Sequence, residues 1–101
     1  MTERKGKYTI RRVDANQGEI VTALRDFGAS VLILSAVGHG CPDLLVGWMG
    51  CNFLMEVKTR TGRLTADERD FSYSWRGGWV VVRTPEQAIE YIQNYMTERE
   101  D

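Results

Sequence analysis

Asp43-Leu-Leu-Val-Gly-Trp-Met-Gly-Cys-Asn-Phe-Leu-Met-Glu-Val-Lys58 is the stretch that decides the fold of this 101-residue chain. Asp43–Trp48 reads as a β-strand, Met49-Gly50-Cys51 as a turn, and Asn52–Lys58 as a strand paired with the first in a hairpin. Phe53, Leu54, Met55 and Val57 place apolar side chains on both faces of the later strand, which marks an interior position in a sheet. Glu56 and Lys58 stand in the same run two residues apart, hence on one face. A carboxylate and an ammonium at the end of a buried strand are costly unless something compensates them. Antiparallel pairing brings Asp43, which opens the neighbouring strand, close to Glu56.

Working outward, a helix is expected from about Asp14 to Phe27. Asp14 and Gln17 fit a capping box, Ile20, Leu24 and Phe27 share one face, and Gly28 fits the stop. Ser30–Ser35 is β-branched and Leu-rich and reads as a buried strand. On the other side of the hairpin, Thr65-x-x-Glu68 is a capping-box signature for a helix over about Ala66–Trp75, ended by Gly77-Gly78. Trp79–Val82 reads as a fourth strand. Thr84-Pro85-x-Gln87 opens a last helix whose apolar face is Ile89, Ile92 and Met96. The order α-β-β-β-α-β-α predicts one α/β domain with a four-stranded mixed sheet flanked by helices. Along the chain this gives a basic arm over 1–12, the domain over 13–97 and an acidic tail over 98–101.

Composition narrows the class. Apolar residues make up 43% and charged residues 27%, which excludes an intrinsically disordered chain. No apolar run approaches the ~20 residues that span a bilayer, so no membrane partner is expected. Charges follow Met1 directly, so no signal peptide is expected either. Two cysteines are too few for a disulfide scaffold, and a single His leaves a structural zinc short of ligands. A reducing cytoplasm is the expected compartment. The net charge of −1 conceals a focal distribution. Arg4, Lys5, Lys7, Arg11 and Arg12 crowd the first twelve residues, and Lys58, Arg60 and Arg63 fall within six residues without an acid. Either cluster suits a local anionic partner, and either would look the same as a solvated arm or loop.

Two carboxylates about 5 Å apart repel by roughly 3 kcal/mol at an effective dielectric of ~20. A divalent cation between Asp43 and Glu56 would turn that repulsion into a binding site, and carboxylates with a backbone carbonyl are ligands that a hard Mg²⁺ prefers. Lys58 could then orient a water or stabilise charge developing on a phosphate. The other reading is an Asp-initiated turn with a Glu–Lys pair shielding the sheet end. His39, in Gly38-His39-Gly40, precedes a strand rather than a helix, so this is no phosphate loop; His39 is a loop residue or a DNA contact. Trp48, Trp75 and Trp79 read as core or interface residues. Arg60 and Arg63 extend from the same sheet end as the carboxylates and suit phosphate contacts, or else belong to a solvated loop.

Pro42-Asp43, twelve intervening residues and Glu56-Val57-Lys58 resemble the PD-(D/E)XK nuclease signature, and the element order is similar to that superfamily's core. More specifically, Gly40-Cys-Pro-Asp-Leu-Leu-Val-Gly-Trp48, Met55-Glu-Val-Lys58 and Arg63-Leu-Thr-Ala-Asp-Glu68 resemble blocks of the VRR-NUC family, the virus-type replication-repair nucleases. The resemblance covers about residues 14–93. It implies that Asp43, Glu56 and the carbonyl of Val57 hold Mg²⁺ or Mn²⁺ and that Lys58 positions or activates the attacking water. Glu19 matches the first-helix Glu that in many such nucleases completes the acidic cluster; a first-turn Glu favoured by the helix dipole would look the same. The family usually has Gln where this chain has Glu68, so Glu68 either closes its capping box or faces the site and adds charge there.

The resemblance implies a metal-dependent DNA endonuclease, selective for branched DNA such as four-way junctions and acting as a homodimer, as a viral or a cellular protein. Its catalytic residues would be Asp43, Glu56, Lys58 and Glu19, with Arg60, Arg63, His39, Lys7 and Arg11 on DNA. The rivals are a non-cleaving DNA-binding or repair-interaction module on a nuclease fold, and an interaction domain whose acidic last helix docks a partner.

Overall fold

The computed structural model describes residues 14–100, and side chains from Asn16 to Glu98. Its elements are α1 (Asp14–Phe27), β1 (Ser30–Ile33), β2 (Leu44–Trp48), β3 (Cys51–Val57), α2 (Ala66–Ser74), β4 (Trp79–Val82) and α3 (Pro85–Glu100). The four strands form one mixed sheet in the order β1-β2-β3-β4. β1 pairs antiparallel with β2 and β2 with β3, while β4 lies parallel to β3. The described residues therefore form an α/β domain with a four-stranded mixed sheet and three helices.

The hairpin turn is tighter than the sequence suggests. Trp48 pairs directly with Cys51, leaving Met49 and Gly50 as a two-residue loop. Both have positive φ, 52° and 80°, as the type I′ turns that match strand twist require.

One face of the sheet carries the core. Leu44, Val46, Phe53, Met55, Val57 and Val82 are buried there against Ile20, Val21 and Leu24 of α1 and Ala88 and Ile92 of α3. Each large aliphatic side chain so buried contributes about 1.5–3 kcal/mol. Phe53 meets the rings of Tyr91 and Tyr95 edge-on, at centroid distances of 5.7 and 4.9 Å. The opposite face is covered only in part. Leu32, Leu45, Leu54 and Trp79 lie in one cross-strand row on it, and α2, on the same side, has no buried residue.

β1 departs from expectation. The run Ser30–Ser35 forms a strand only to Ile33, and Leu32 and Ile33 are more than half exposed. It is an edge strand. Its apolar composition suits a buried position, but strand order places it outermost, with a neighbour on one side only. β3 fulfils the interior reading, buried from Phe53 through Val57. Of the two expected caps downstream, the first forms in full and the second with its return bond one residue earlier, at Arg83. Thr65 and Glu68 close a reciprocal capping box. Thr84 Oγ1 accepts the Gln87 N–H at 3.0 Å, and Gln87 Oε1 accepts the Arg83 N–H at 2.8 Å. The acidic residues expected in a tail continue α3 as far as Glu100.

Candidate active site

The β2–β3 register runs Leu44↔Met55, so the next pair outward sets Asp43 opposite Glu56. Directly opposed residues on one sheet face have Cβ atoms about 4.5–5.5 Å apart. The regular ladder ends here, and the Asp43 side chain takes over from it: Oδ2 accepts the Val57 N–H at 2.9 Å. Its other oxygen lies 3.4 Å from Ser35 Oγ, whose single proton is shared between it and the nearer Gln17 Oε1 at 3.1 Å. Gln17 is buried, so α1, the β1–β2 loop and β2 meet at this carboxylate.

Glu56 is 2% exposed. Among the described residues its Oε1 has no hydrogen-bond partner. Burial, then the negative charge of Asp43 and that of Glu68, push its carboxyl up to about 9, against the pull of Lys58. A hydrogen bond with Asp43 adds to that rise, so the protonated acid shares its proton within the cluster while Oε1 keeps no donor, and a cation could replace the proton between the two carboxylates.

Lys58 continues β3 on the same face. Its N–H donates to Val82 O at 3.1 Å and its carbonyl accepts from Asn16 Nδ2 at 2.9 Å, so its backbone is tied to β4 and α1. Its Nζ lies 3.6 Å from Glu56 Oε2 and 2.7 Å from Glu68 Oε1. Burial alone would lower the ammonium's pKa; the hydrogen bond and charge of Glu68, with the charges of Glu56 and Asp43, carry it upward instead. Burial would likewise raise Glu68, but Lys58 and the Thr65 N–H draw it below its ordinary value. The structure thus gives Glu68 both roles that the sequence leaves open to it, cap and site contact.

The loop before β2 turns through the left-handed region at three successive residues, Gly38 (φ 79°), His39 (57°) and Gly40 (81°). Gly40 is obligatory for a second reason: a Cβ there would collide with the Asp67 backbone at the start of α2. Absence of that side chain lets α2 close over the Asp43 end of the sheet. Cys41, in the same loop, has its thiol pushed up by burial and then by Glu56 and Asp43, which makes it a poor nucleophile.

Of the residues singled out from sequence, Asp43, Glu56, Lys58 and Glu68 come together, with Val57 between them. Glu19 is exposed; it lies about 200° around α1 from Gln17, the residue that faces the Asp43 cluster. Among the described residues no group of three or more His, Cys, Asp or Glu converges as a metal cage. His39 is exposed on the loop leading to Asp43, and Arg60 and Arg63 are exposed on the loop following Lys58. Lys7 and Arg11 lie outside the described residues.

Three further residues matter that the sequence does not single out for the site. Gln17 fits a cap, yet it falls on the apolar stripe of Ile20, Val21 and Leu24, and a polar side chain there is the available signal. Ser35 joins Gln17 to Asp43. Arg83 donates through one nitrogen to the carbonyls of Thr59 (2.6 Å) and Gly62 (2.8 Å), pinning the loop that carries Arg60 and Arg63. No local pattern announces that contact.

Compared with protein-family models, with curated proteins and with solved structures, the chain finds no match. No helix among the described residues is long and apolar enough to cross a membrane.

Proposed function

We propose that this chain is a metal-dependent DNA endonuclease with a PD-(D/E)XK core of the VRR-NUC kind. The observation that carries the reading is the buried, unpartnered Oε1 of Glu56 opposite Asp43. Among the described residues no donor serves it, which favours a divalent cation there over a shielded sheet end. Asp43, Glu56 and the Val57 carbonyl are hard oxygen donors and fit Mg²⁺ or Mn²⁺. When bound, the cation would supply charge to a phosphodiester and lower the pKa of a water.

The chain's own residues would do the rest. Lys58 stabilises negative charge on the phosphate or orients the attacking water. The Ser35–Asp43–Val57 bonds hold the Asp43 carboxylate still. Arg60, Arg63 and His39 flank the sheet end on exposed loops and would meet the DNA backbone. Symmetric cutting of a branched substrate would need a two-fold dimer with two such sites.

The test compares labelled single-stranded, duplex, flap and four-way-junction DNA with Mg²⁺, Mn²⁺ or EDTA, beside Lys58→Ala. Metal-dependent cutting that the variant loses supports the reading, and the preferred substrate names its class. DNA retained without cutting in any metal would instead make the chain a binding module.

A further inference from the structure

Glu68 does two things with one oxygen. Its Oε1 accepts the Thr65 N–H at 2.8 Å, completing the cap of α2, and lies 2.7 Å from Lys58 Nζ. The helix start is itself held in place. Thr65 Oγ1 accepts the Glu68 N–H at 3.2 Å, and the bare Cα of Gly40 lets the first turn seat against the loop that leads to Asp43. A carboxylate fixed in this way is delivered to the tip of a flexible four-carbon side chain whose backbone is already tied at both ends.

The alternative partner for that ammonium is Glu56. At 3.6 Å from Oε2 it lies beyond hydrogen-bond length, while the bond to Glu68 is short and charge-assisted. Without Glu68, the flexible Lys58 side chain could close that gap and take the Glu56 oxygens that a cation needs.

We propose that Glu68 is a positioning residue that holds the Lys58 ammonium beside Glu56 rather than on it. Glu56 then stays open to a cation, and the ammonium stands at the rim of the site where phosphate charge develops. This rests on the nuclease reading above and adds to it the start of α2 as part of the machinery. A Gln at this position would keep the hydrogen bond and the cap; a Glu adds a charge that strengthens the hold on the ammonium.

The chain has only three lysines, so the ¹H–¹⁵N spectrum of lysine ammonium groups reads Lys58 directly. Wild type should show one slowly exchanging resonance, assigned by its loss in Lys58→Met. Glu68→Ala should abolish it and lower kcat about 10- to 100-fold at unchanged KM, the scale of a misplaced catalytic group. Glu68→Gln should recover at least part of both, while Ile92→Val, a core change remote from the site with a comparable Tm loss, should leave both in place. Retention of the resonance in Glu68→Ala, or wild-type kcat in that variant, would overturn the proposal. So would an equal kcat loss in Ile92→Val, because the role would then be structural. A wild type that cuts no DNA would overturn the nuclease reading itself, and the spectrum would still decide whether Glu68 holds Lys58.

Discussion

Glu56 sits where a charge is hardest to keep, at the end of an interior strand and opposite another carboxylate. Its carboxyl, pushed up to about 9 from an ordinary 4.5, makes a definite statement about stability. A group whose pKa is higher in the folded than in the unfolded chain stabilises the fold fully below the unfolded value and loses that contribution as pH rises toward the folded one. Metal-free wild type should therefore lose stability between about pH 4.5 and 9 more steeply than Glu56→Gln, which cannot ionise there. Thermal melts of the two proteins across pH 5–9 check this, and parallel curves would contradict it. Met49 presents a simpler case. It is largely exposed at φ 52°, so its side chain contributes little packing while its backbone is strained. Met49→Asn should raise stability by roughly 0.5–1 kcal/mol, because Asn tolerates the left-handed region; a lowered Tm would count against the turn as described.

Among the elements, those governed by local rules are legible in the sequence alone. The caps at Thr65–Glu68 and Thr84–Gln87, the two-sided apolar run of β3 and the stop at Gly28 each follow from residues within a few positions of one another. The exposure of β1 is not legible, because a run such as Val31-Leu32-Ile33 records a preference for strand, not a place in the sheet. The site is half legible. Spacing and strand period put Asp43, Glu56 and Lys58 together, but the Lys58–Glu68 contact joins β3 to α2 and depends on Gly40, a glycine that reads as an ordinary loop residue. Gly40→Ala tests this link between elements. A methyl group there meets the backbone of α2, not a side chain that can swing aside. The variant should lose about 1–3 kcal/mol of stability and break the Lys58–Glu68 pair, read as loss of the Lys58 ammonium resonance. A variant that melts and resonates like wild type would show that α2 does not seat there.

At the scale of the whole molecule, the sheet is packed on one face and thinly covered on the other. α1 and α3 bury the core side, while on the second face Leu32, and on α2 and its C-cap Tyr73 and Trp75, stay exposed although Leu54 is covered. That asymmetry suits an α/β fold that gathers its polar cluster at one end of the sheet, where α2 meets the Asp43 and Lys58 strand ends. If the site cuts branched DNA as proposed, paired sites in a two-fold dimer would supply one cut to each of two symmetric strands. Sedimentation at micromolar concentration should show a dimer; a monomer that still cuts both strands of a junction symmetrically would contradict this.

Everything proposed for the site depends on the buried Asp43–Glu56 pair being a seat for a divalent cation, and calorimetric titration of Mn²⁺ into the metal-free protein measures that directly. Wild type should bind Mn²⁺ at one saturable site and gain about 1.4 kcal/mol of stability at ten times the dissociation constant, and Asp43→Ala should lose both. Absence of saturable binding to a folded wild type, or equal binding by Asp43→Ala, would contradict a cation seat at this pair.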